Sequence, residues 1–252
     1  LAFGASAIDG QQLRHWRRPA LAKAIEHALA KHANAERVAV LSGGYAPSRL
    51  RYIGVSVPDL RGVVRRFARE LKPSAPREIL ALALTLVSRG TAEGRQVGYE
   101  LVARRTDAMA LLTPALVRRL GQGNDNWASV DGFAMYITGR AWLDGRIGGR
   151  DVTGWARSTN RWWRRTALAS TVSLNLPSRG GSGDSARTMR VCREFAREAD
   201  PMLAKALSWA LRSLVPHDPA AVRAFLHRHR DTLPSIVLRE VGTKLRTGRK
   251  AG

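Results

Sequence analysis

The sequence has very little cysteine and few acidic residues. Cys192 is the only cysteine among 252 residues, which excludes an intrachain disulfide, a four-cysteine iron–sulfur cluster and a cysteine-rich zinc site. A lone thiol fits a reducing compartment, so we expect a cytoplasmic protein. The six histidines are scattered along the chain, and we expect them at the surface. We therefore expect no metal and no other cofactor.

Long apolar runs and several common enzyme motifs are also missing. No stretch approaches the roughly 20 residues of a membrane span, and the first residues show no basic segment followed by an apolar one. We therefore expect neither a membrane contact nor a signal peptide. Runs of alternating β-branched residues are scarce, which argues against a sheet. Phosphate-binding loops, the His-Glu-x-x-His motif and the Gly-x-Ser-x-Gly motif are absent, so the enzyme classes that carry them find no support.

What the sequence does contain is a large excess of positive charge. Its 42 Lys and Arg face 20 Asp and Glu, which gives a formal net charge of +22, and only six of the basic residues are lysine. The arginine side chain grips phosphate with a planar fork of donors. A GC-rich genome would favour arginine over lysine, but it would not remove the matching acids. The charge therefore indicates a nucleic-acid partner.

Helical periodicity runs through most of the chain. In residues 58–71, apolar side chains fall on one stripe, arginines lie elsewhere, and Pro58 suits the first turn of a helix. Comparable helices are predicted at 20–33, 77–89, 93–105, 113–120, 127–138, 148–157, 161–174, 185–198, 201–214, 218–229 and 234–246.

A texture of small and apolar residues recurs about every 40 residues, at 78–84, 165–169 and 205–211, and the helix from Trp127 fills the gap between the first two. This spacing is typical of stacked HEAT or armadillo helix pairs, and the alternative is an irregular helical domain. We predict an all-α, HEAT-like helical-repeat solenoid with a concave basic DNA-binding surface. It would be a single domain over 1–252, with frayed ends at about 1–10 and 247–252 and a flexible insertion at 178–185.

One short segment, Asn126 to Asp131, could carry chemistry. Trp127 and Asp131 are four residues apart, so on a helix they project from one face. A carboxylate that faces DNA is repelled by the phosphates, unless it serves a purpose such as stabilising positive charge on a sugar during cleavage of a glycosidic bond. The alternative is that Trp127 belongs to the core and that Asp131 is an ordinary surface acid.

The ordered set Tyr45, Gly54-Val55-Ser56-Val57-Pro58, Trp127 with Asp131, Trp162-x-x-Arg165, and Lys205-Ala206-Leu207-Ser208-Trp209-Ala210-Leu211-Arg212 resembles the AlkD family of alkylpurine DNA glycosylases. The resemblance covers roughly residues 40–245. It implies a HEAT-like repeat fold. It also implies that Asp131 is the catalytic carboxylate and that Trp127 and Trp209 pack against the deoxyribose of the lesion. The expected DNA-binding residues are Arg165 as a phosphate clamp, Tyr45 near the minor groove, Ser56, Arg212 and Arg164.

The resemblance also implies the reaction. A purine alkylated at N3 or N7 is cationic and a good leaving group, so stabilising charge at the sugar matters more than a strong general acid. No lysine nucleophile stands out, so we expect a monofunctional glycosylase that acts on duplex DNA. The resemblance implies a monomer that works in base excision repair or genotoxin resistance, and we expect it to be associated with the nucleoid through DNA binding. Bulky adducts could be accepted, because the family is thought to release the base without flipping it. Ser56 stands where the family can carry a longer polar side chain, so its DNA contact stays open. The alternatives are a non-catalytic DNA- or RNA-binding helical-repeat protein and an adaptor for an acidic protein.

Overall fold

The computed structural model describes residues 10–249, and their side chains from residue 19 onward. The helices are α1 (Gly10–Ala30), α2 (Ala35–Val40), α3 (Val57–Glu70), α4 (Pro76–Ser88), α5 (Ala92–Ala103), α6 (Thr106–Ala110), α7 (Pro114–Gly121), α8 (Trp127–Phe133), α9 (Gly139–Leu143), α10 (Gly149–Ala156), α11 (Arg161–Leu174), α12 (Ser185–Arg193), α13 (Pro201–Leu214), α14 (Pro219–Arg228) and α15 (Ser235–Thr247). Two π-helical turns, Leu41–Tyr45 and Ala134–Thr138, and one 3-10 turn, Pro177–Arg179, complete the order. No strand occurs within residues 10–249, so the all-α, helical-repeat prediction is confirmed.

Several predicted helices with a buried apolar stripe agree closely with the observed ones, whereas α1 begins ten residues before the predicted limit of 20 and α12 ends five residues before the predicted limit of 198. α3, α11 and α13 begin and end within about one residue of the predicted limits. The sequence reading missed α2, which buries no residue and therefore carries no stripe. Of the predicted frayed ends, residues 1–9 and 250–252 lie outside the described part of the chain.

Most helices begin at a polar residue whose side chain caps the first turn. Such a residue accepts a hydrogen bond from a backbone N–H that the helix leaves unsatisfied, and a following proline has no N–H to satisfy. The capping side chains are Asn34, Ser56, Thr113, Asn126, Asn160, Asp184, Asp200 and Asp218. Proline follows within the first turn of α3, α7, α13 and α14. These caps set where each helix starts, and so where its side chains point.

The described residues fall into two compact units, and the boundary between them follows Ala108, inside α6. In the first unit, α5 packs against α3 and α4, and α1 packs against α4. Phe67, Leu82 and Tyr99 are fully buried in its core. The prediction of one continuous domain and that of a concave basic surface concern the whole chain, and both stay predictions.

The second unit is built around α11. This helix packs against α8, α9, α10, α12 and α13, and α13 packs against α15. Every residue of α11 from Arg165 to Leu174 is buried. Its buried hydroxyl groups are hydrogen-bonded, for example Ser170 to the carbonyl of Thr166 and to the hydroxyl of Thr138. A Cβ on Gly139 would lie 2.3 Å from the hydroxyl of Ser173, so glycine permits the close approach of α9 and α11.

The segment 178–185, predicted as a flexible insertion, is folded back on the end of α11. The N–H groups of Gly181 and Gly183 donate to the carbonyls of Leu176 and Leu174, both at 3.0 Å. Gly181 is buried, and a Cβ there would lie 2.2 Å from the carbonyl oxygen of Ser173. Its glycines therefore serve a tight, hydrogen-bonded turn, which corrects the prediction from composition.

Candidate active site

The N-terminal turn of α8 places Trp127 and Asp131 on one face. The side-chain oxygen of Asn126 caps the helix by accepting the N–H of Ser129 at 2.9 Å. Trp127 and Asp131 follow one turn apart, and both are partly exposed. They are therefore placed as the sequence predicted, on a helical face that is not sealed in the core.

Asp131 forms a bidentate ion pair with Arg165 of α11. Nε of Arg165 donates to Oδ1 of Asp131 at 2.8 Å, and Nη2 donates to Oδ2 at 2.7 Å. The Asp131 side chain keeps 18% of its surface exposed, whereas that of Arg165 keeps only 7%. Nη1 of Arg165 donates to the carbonyl of Met202 in α13, so this one guanidinium ties three helices together.

The surroundings of Asp131 act on its acidity in two opposite directions. Burial raises the pKa of the Asp131 carboxyl above its ordinary value, while the hydrogen bonds and the charge of Arg165 oppose that rise. Each carboxylate oxygen receives one N–H from Arg165 and keeps a further lone-pair direction. The group can therefore still accept a proton or orient a water from its exposed side.

A series of hydrogen bonds fixes the carbonyl group that accepts from the guanidinium of Arg165. Arg164 donates to Oε2 of Glu198, and Oε1 of Glu198 accepts the N–H of Asp200 at 2.9 Å. Oδ1 of Asp200 in turn accepts the N–H of Met202 at 2.8 Å and so caps α13. The carbonyl of Met202 then receives Arg165. Glu198 and Asp200 thus fix the turn that presents this carbonyl.

The contact between α8 and α11 has a charged side and an aromatic side. On one side Asp131 meets Arg165. Two residues further along α8 and two residues earlier along α11, Phe133 and Trp163 meet edge to face with ring centroids 6.1 Å apart. Two residues on a helix are about 200° apart, so the two contacts lie at opposite edges of the α8–α11 interface. Trp155 packs on Trp163 at 5.3 Å and extends the aromatic side.

A π-helical turn follows directly after this contact. Residues 134–138 open the helix so that α8, the turn and α9 form one continuous element. A π turn adds a residue to a helical turn and so rotates the faces that follow it, and such turns are frequent at functional sites. After the π turn the helix continues to Leu143, whereas the prediction ended at residue 138.

Trp209 lies on the accessible face of α13. It is partly exposed, and it shares this face with exposed Lys205 and partly exposed Arg212. Trp142 and Trp155, by contrast, keep only 4% and 6% of their surface exposed. Trp127 and Trp209 therefore differ from the tryptophans that fill the core.

The three arginines expected to contact DNA form ion pairs with acidic side chains of the second unit. Arg165 holds Asp131, and Arg164 holds Glu198. Arg212 lies 3.4 Å from Glu240, and its Nε donates to the hydroxyl of Ser208 at 3.1 Å. A phosphate contact by any of the three stays a prediction. Sequence spacing did not indicate these acidic partners, although Asp200 before Pro201 was a recognisable helix cap.

Tyr45 and Ser56 belong to the first unit. Tyr45 is 61% exposed at the end of the π turn Leu41–Tyr45. The hydroxyl of Ser56 donates to Oδ2 of Asp59 at 2.5 Å and accepts the N–H of Asp59, so it caps α3. Tyr45 is exposed, whereas Ser56 caps a helix, and both DNA contacts stay predictions.

Gly54 of the Gly54–Pro58 motif stands where a larger side chain would clash. Its φ is +85°, and a Cβ would lie 2.2 Å from the carbonyl oxygen of Asn34. Buried Glu93 accepts the N–H groups of Ile53 at 3.0 Å and Gly54 at 2.8 Å. The sequence reading missed Glu93, which holds this segment in place.

No group of three His, Cys, Asp or Glu side chains among the described residues could hold a metal ion. None of the helices in that part of the chain is long and apolar enough to cross a membrane.

A strongly basic, all-α helical-repeat chain is typical of proteins that bind nucleic acid. The family model described as "DNA alkylation repair enzyme" matches residues 25–245. The chain therefore belongs to the DNA alkylation repair enzyme family, and DNA is its substrate. The resemblance read from the motifs is confirmed. Comparison with curated proteins gave no significant match.

Proposed function

We propose that the protein is a monofunctional DNA glycosylase that hydrolyses the N-glycosidic bond of N3- or N7-alkylated purines in duplex DNA. The observation that carries the proposal is the Asp131 carboxylate, oriented by Arg165 and partly exposed on the same helical face as Trp127. A carboxylate in a chain of net charge +22 can meet DNA without losing the overall attraction.

The reaction begins with departure of the cationic base. The C1′–N bond breaks, its electron pair stays with the base, and the base leaves neutral while positive charge develops on the sugar. Asp131 stabilises that charge, and Trp127 and Trp209 add cation–π attraction of about 0.5–2 kcal/mol each. Water then bonds to C1′ and transfers a proton to Asp131, which passes it to solvent. The products are a free base and an abasic site.

Arg165 is a positioning residue in this scheme. Its two hydrogen bonds fix both carboxylate oxygens, so the free lone pairs point in defined directions. The same guanidinium weakens the field of Asp131, because a positive charge stands behind the negative one. The net stabilisation of the sugar cation is therefore the attraction by Asp131 minus the repulsion by Arg165.

The test is release of free base from methylated duplex DNA under single-turnover conditions. Wild-type protein should release N7-methylguanine and N3-methyladenine and leave an intact, abasic strand. Asp144→Asn is a matched control, because Asp144 is also paired with an arginine, Arg140, on an exposed helical turn. Release by the control together with loss in Asp131→Asn supports the proposal. Duplex binding by the wild type without any release would identify a non-catalytic DNA-binding protein.

A further inference from the structure

A cleft in the first unit collects basic side chains away from the residues that carry the proposed chemistry. It lies between α3 and the end of α5 and encloses about 840 Å³. Arg65 and Arg69 of α3, Lys72 in the turn that follows, and Arg104 and Arg105 after the end of α5 line it. The first four are exposed, Arg105 is partly buried, and no acidic residue lines the cleft.

Two arginines of this unit, by comparison, form ion pairs within the protein. Arg66 pairs with Glu70 at 2.8 Å. Arg105 pairs with Asp107 at 2.7 Å and donates to the carbonyls of Leu71 and Ser74, so it caps the end of α3. Arg65, Arg69, Lys72 and Arg104, in contrast, have no ion-pair partner among the described residues.

The absence of acids distinguishes this cleft from another basic cavity. In the second unit, Arg193, Arg197 and Arg228 line a smaller cavity of about 340 Å³, but Glu194 and Asp231 line it as well. The cleft in the first unit has no acid in its lining, so the four cations without an ion-pair partner repel one another unless an external anion enters.

The spacing of the cations suits a chain of phosphates. Arg65 and Arg69 are four residues apart, about 6 Å along the helix axis. Each strand of a duplex presents one phosphate about every 3.4 Å of axis, so the two arginines can reach different phosphates. Isolated small anions would not use both ends of the cleft, whereas a phosphodiester backbone would.

We propose that this cleft binds the phosphodiester backbone of DNA independently of the lesion. The inference rests on the proposed function in taking duplex DNA as the ligand. It adds a site that contributes affinity and salt dependence, but no chemistry.

The test compares two double variants of the full chain that change the net charge equally. One is Arg65→Gln with Arg69→Gln. The control is Arg66→Gln with Arg77→Gln, because both residues are exposed in the same unit and neither lines the cleft. Binding of a short, undamaged fluorescent duplex is measured by anisotropy between 50 and 200 mM salt.

The cleft variant should show a shallower slope of log K against log salt, by about 0.9 for each phosphate that is no longer neutralised and about 1.8 for both together. The control should keep the wild-type slope, and both should keep the wild-type melting temperature. If the double variant fails to fold, Arg104→Gln on the other helix serves instead, with an expected change of about 0.9.

Base release separates this proposal from the proposed function. A shallower slope in a protein that releases no base supports the cleft and contradicts the glycosylase. Equal slopes for wild type, cleft variant and control overturn the cleft, whether or not base is released. Weaker binding to phosphatidylserine vesicles with an unchanged DNA slope also overturns it, since the cleft would then serve a lipid surface.

Discussion

Replacing Asp131 by asparagine removes a negative charge and leaves the guanidinium of Arg165 without its charged partner. A carboxylate about 4 Å from a unit positive charge contributes about 4 kcal/mol at an effective dielectric near 20, and a guanidinium about 8 Å away opposes it by about 2 kcal/mol. The wild-type pair therefore stabilises the sugar cation by about 2 kcal/mol, whereas the variant destabilises it by about 2 kcal/mol. The difference of about 4 kcal/mol predicts a loss of about a thousandfold in the rate of base release.

The same reasoning predicts a partial rescue. Adding Arg165→Gln to Asp131→Asn removes the remaining repulsion of about 2 kcal/mol and should recover about 30-fold in rate. The assay is single-turnover release of N7-methylguanine at saturating protein, so that a change in DNA affinity does not enter. A double variant about tenfold slower than Asp131→Asn, or a single variant with near-normal release, would refute the electrostatic argument.

Stability must be measured beside the rate. The asparagine amide keeps one acceptor for Arg165 but loses a charge-assisted hydrogen bond, which costs about 1.5–3 kcal/mol in a buried pair. For a chain of this size that corresponds to a melting temperature lower by about 3–12 °C. The rates are therefore compared well below both transitions. Asp144→Asn, whose exposed pair contributes little, should change neither quantity appreciably.

Three further predictions concern acidity, the tryptophans and the support of Arg165. Burial raises the pKa of Asp131, and only the ionised form of this side chain stabilises the sugar cation. The rate of base release should therefore fall on acidification at a pH above the ordinary aspartate pKa of about 3.9. A rate that stays flat down to that pH contradicts this role. Trp127→Ala and Trp209→Ala should lose more rate on methyl lesions than on bulky ones and melt near the wild type, whereas Trp142→Ala in the core should lose about 3–5 kcal/mol of stability. Glu198→Gln should slow base release about fivefold without weakening binding of undamaged duplex, and an equal loss in both would indicate a general structural role.

The helices could be predicted because each long one buries an apolar stripe and most begin at a capping side chain. α3 illustrates both signals, with buried Leu60, Val63, Val64 and Phe67 and with Ser56 before the proline. α2 could not be predicted in this way, because it buries none of its residues. The segment 178–185 was misjudged because glycine-rich composition signals both flexible linkers and tight turns, and only the packing on α11 separates them.

The candidate site was predictable only as far as one helix extends. The spacing of Trp127 and Asp131 places both on one face, and the structure has them there. The partner of Asp131 lies 34 residues away on another helix, so no local pattern indicates it. The same holds for Glu198 with Arg164 and for Glu240 with Arg212, since tertiary packing determines which cations meet which acids.

The ion pairs also show that an acidic residue in this strongly basic chain need not be catalytic. A carboxylate near DNA suggests a catalytic role, yet several paired acids here have a structural one. Glu194 binds Arg157, Asp184 binds Arg187, and neither adjoins an accessible tryptophan on its own helical face. Asp131 has a structural partner as well, so pairing does not distinguish it from the others. What distinguishes Asp131 is the partly exposed Trp127 one turn before it, together with a guanidinium whose removal should raise the rate of the charge-neutral variant rather than lower it. A purely structural pair would also recover stability when the unpaired guanidinium is removed, but it would leave the single-turnover rate of the folded protein unchanged in both variants.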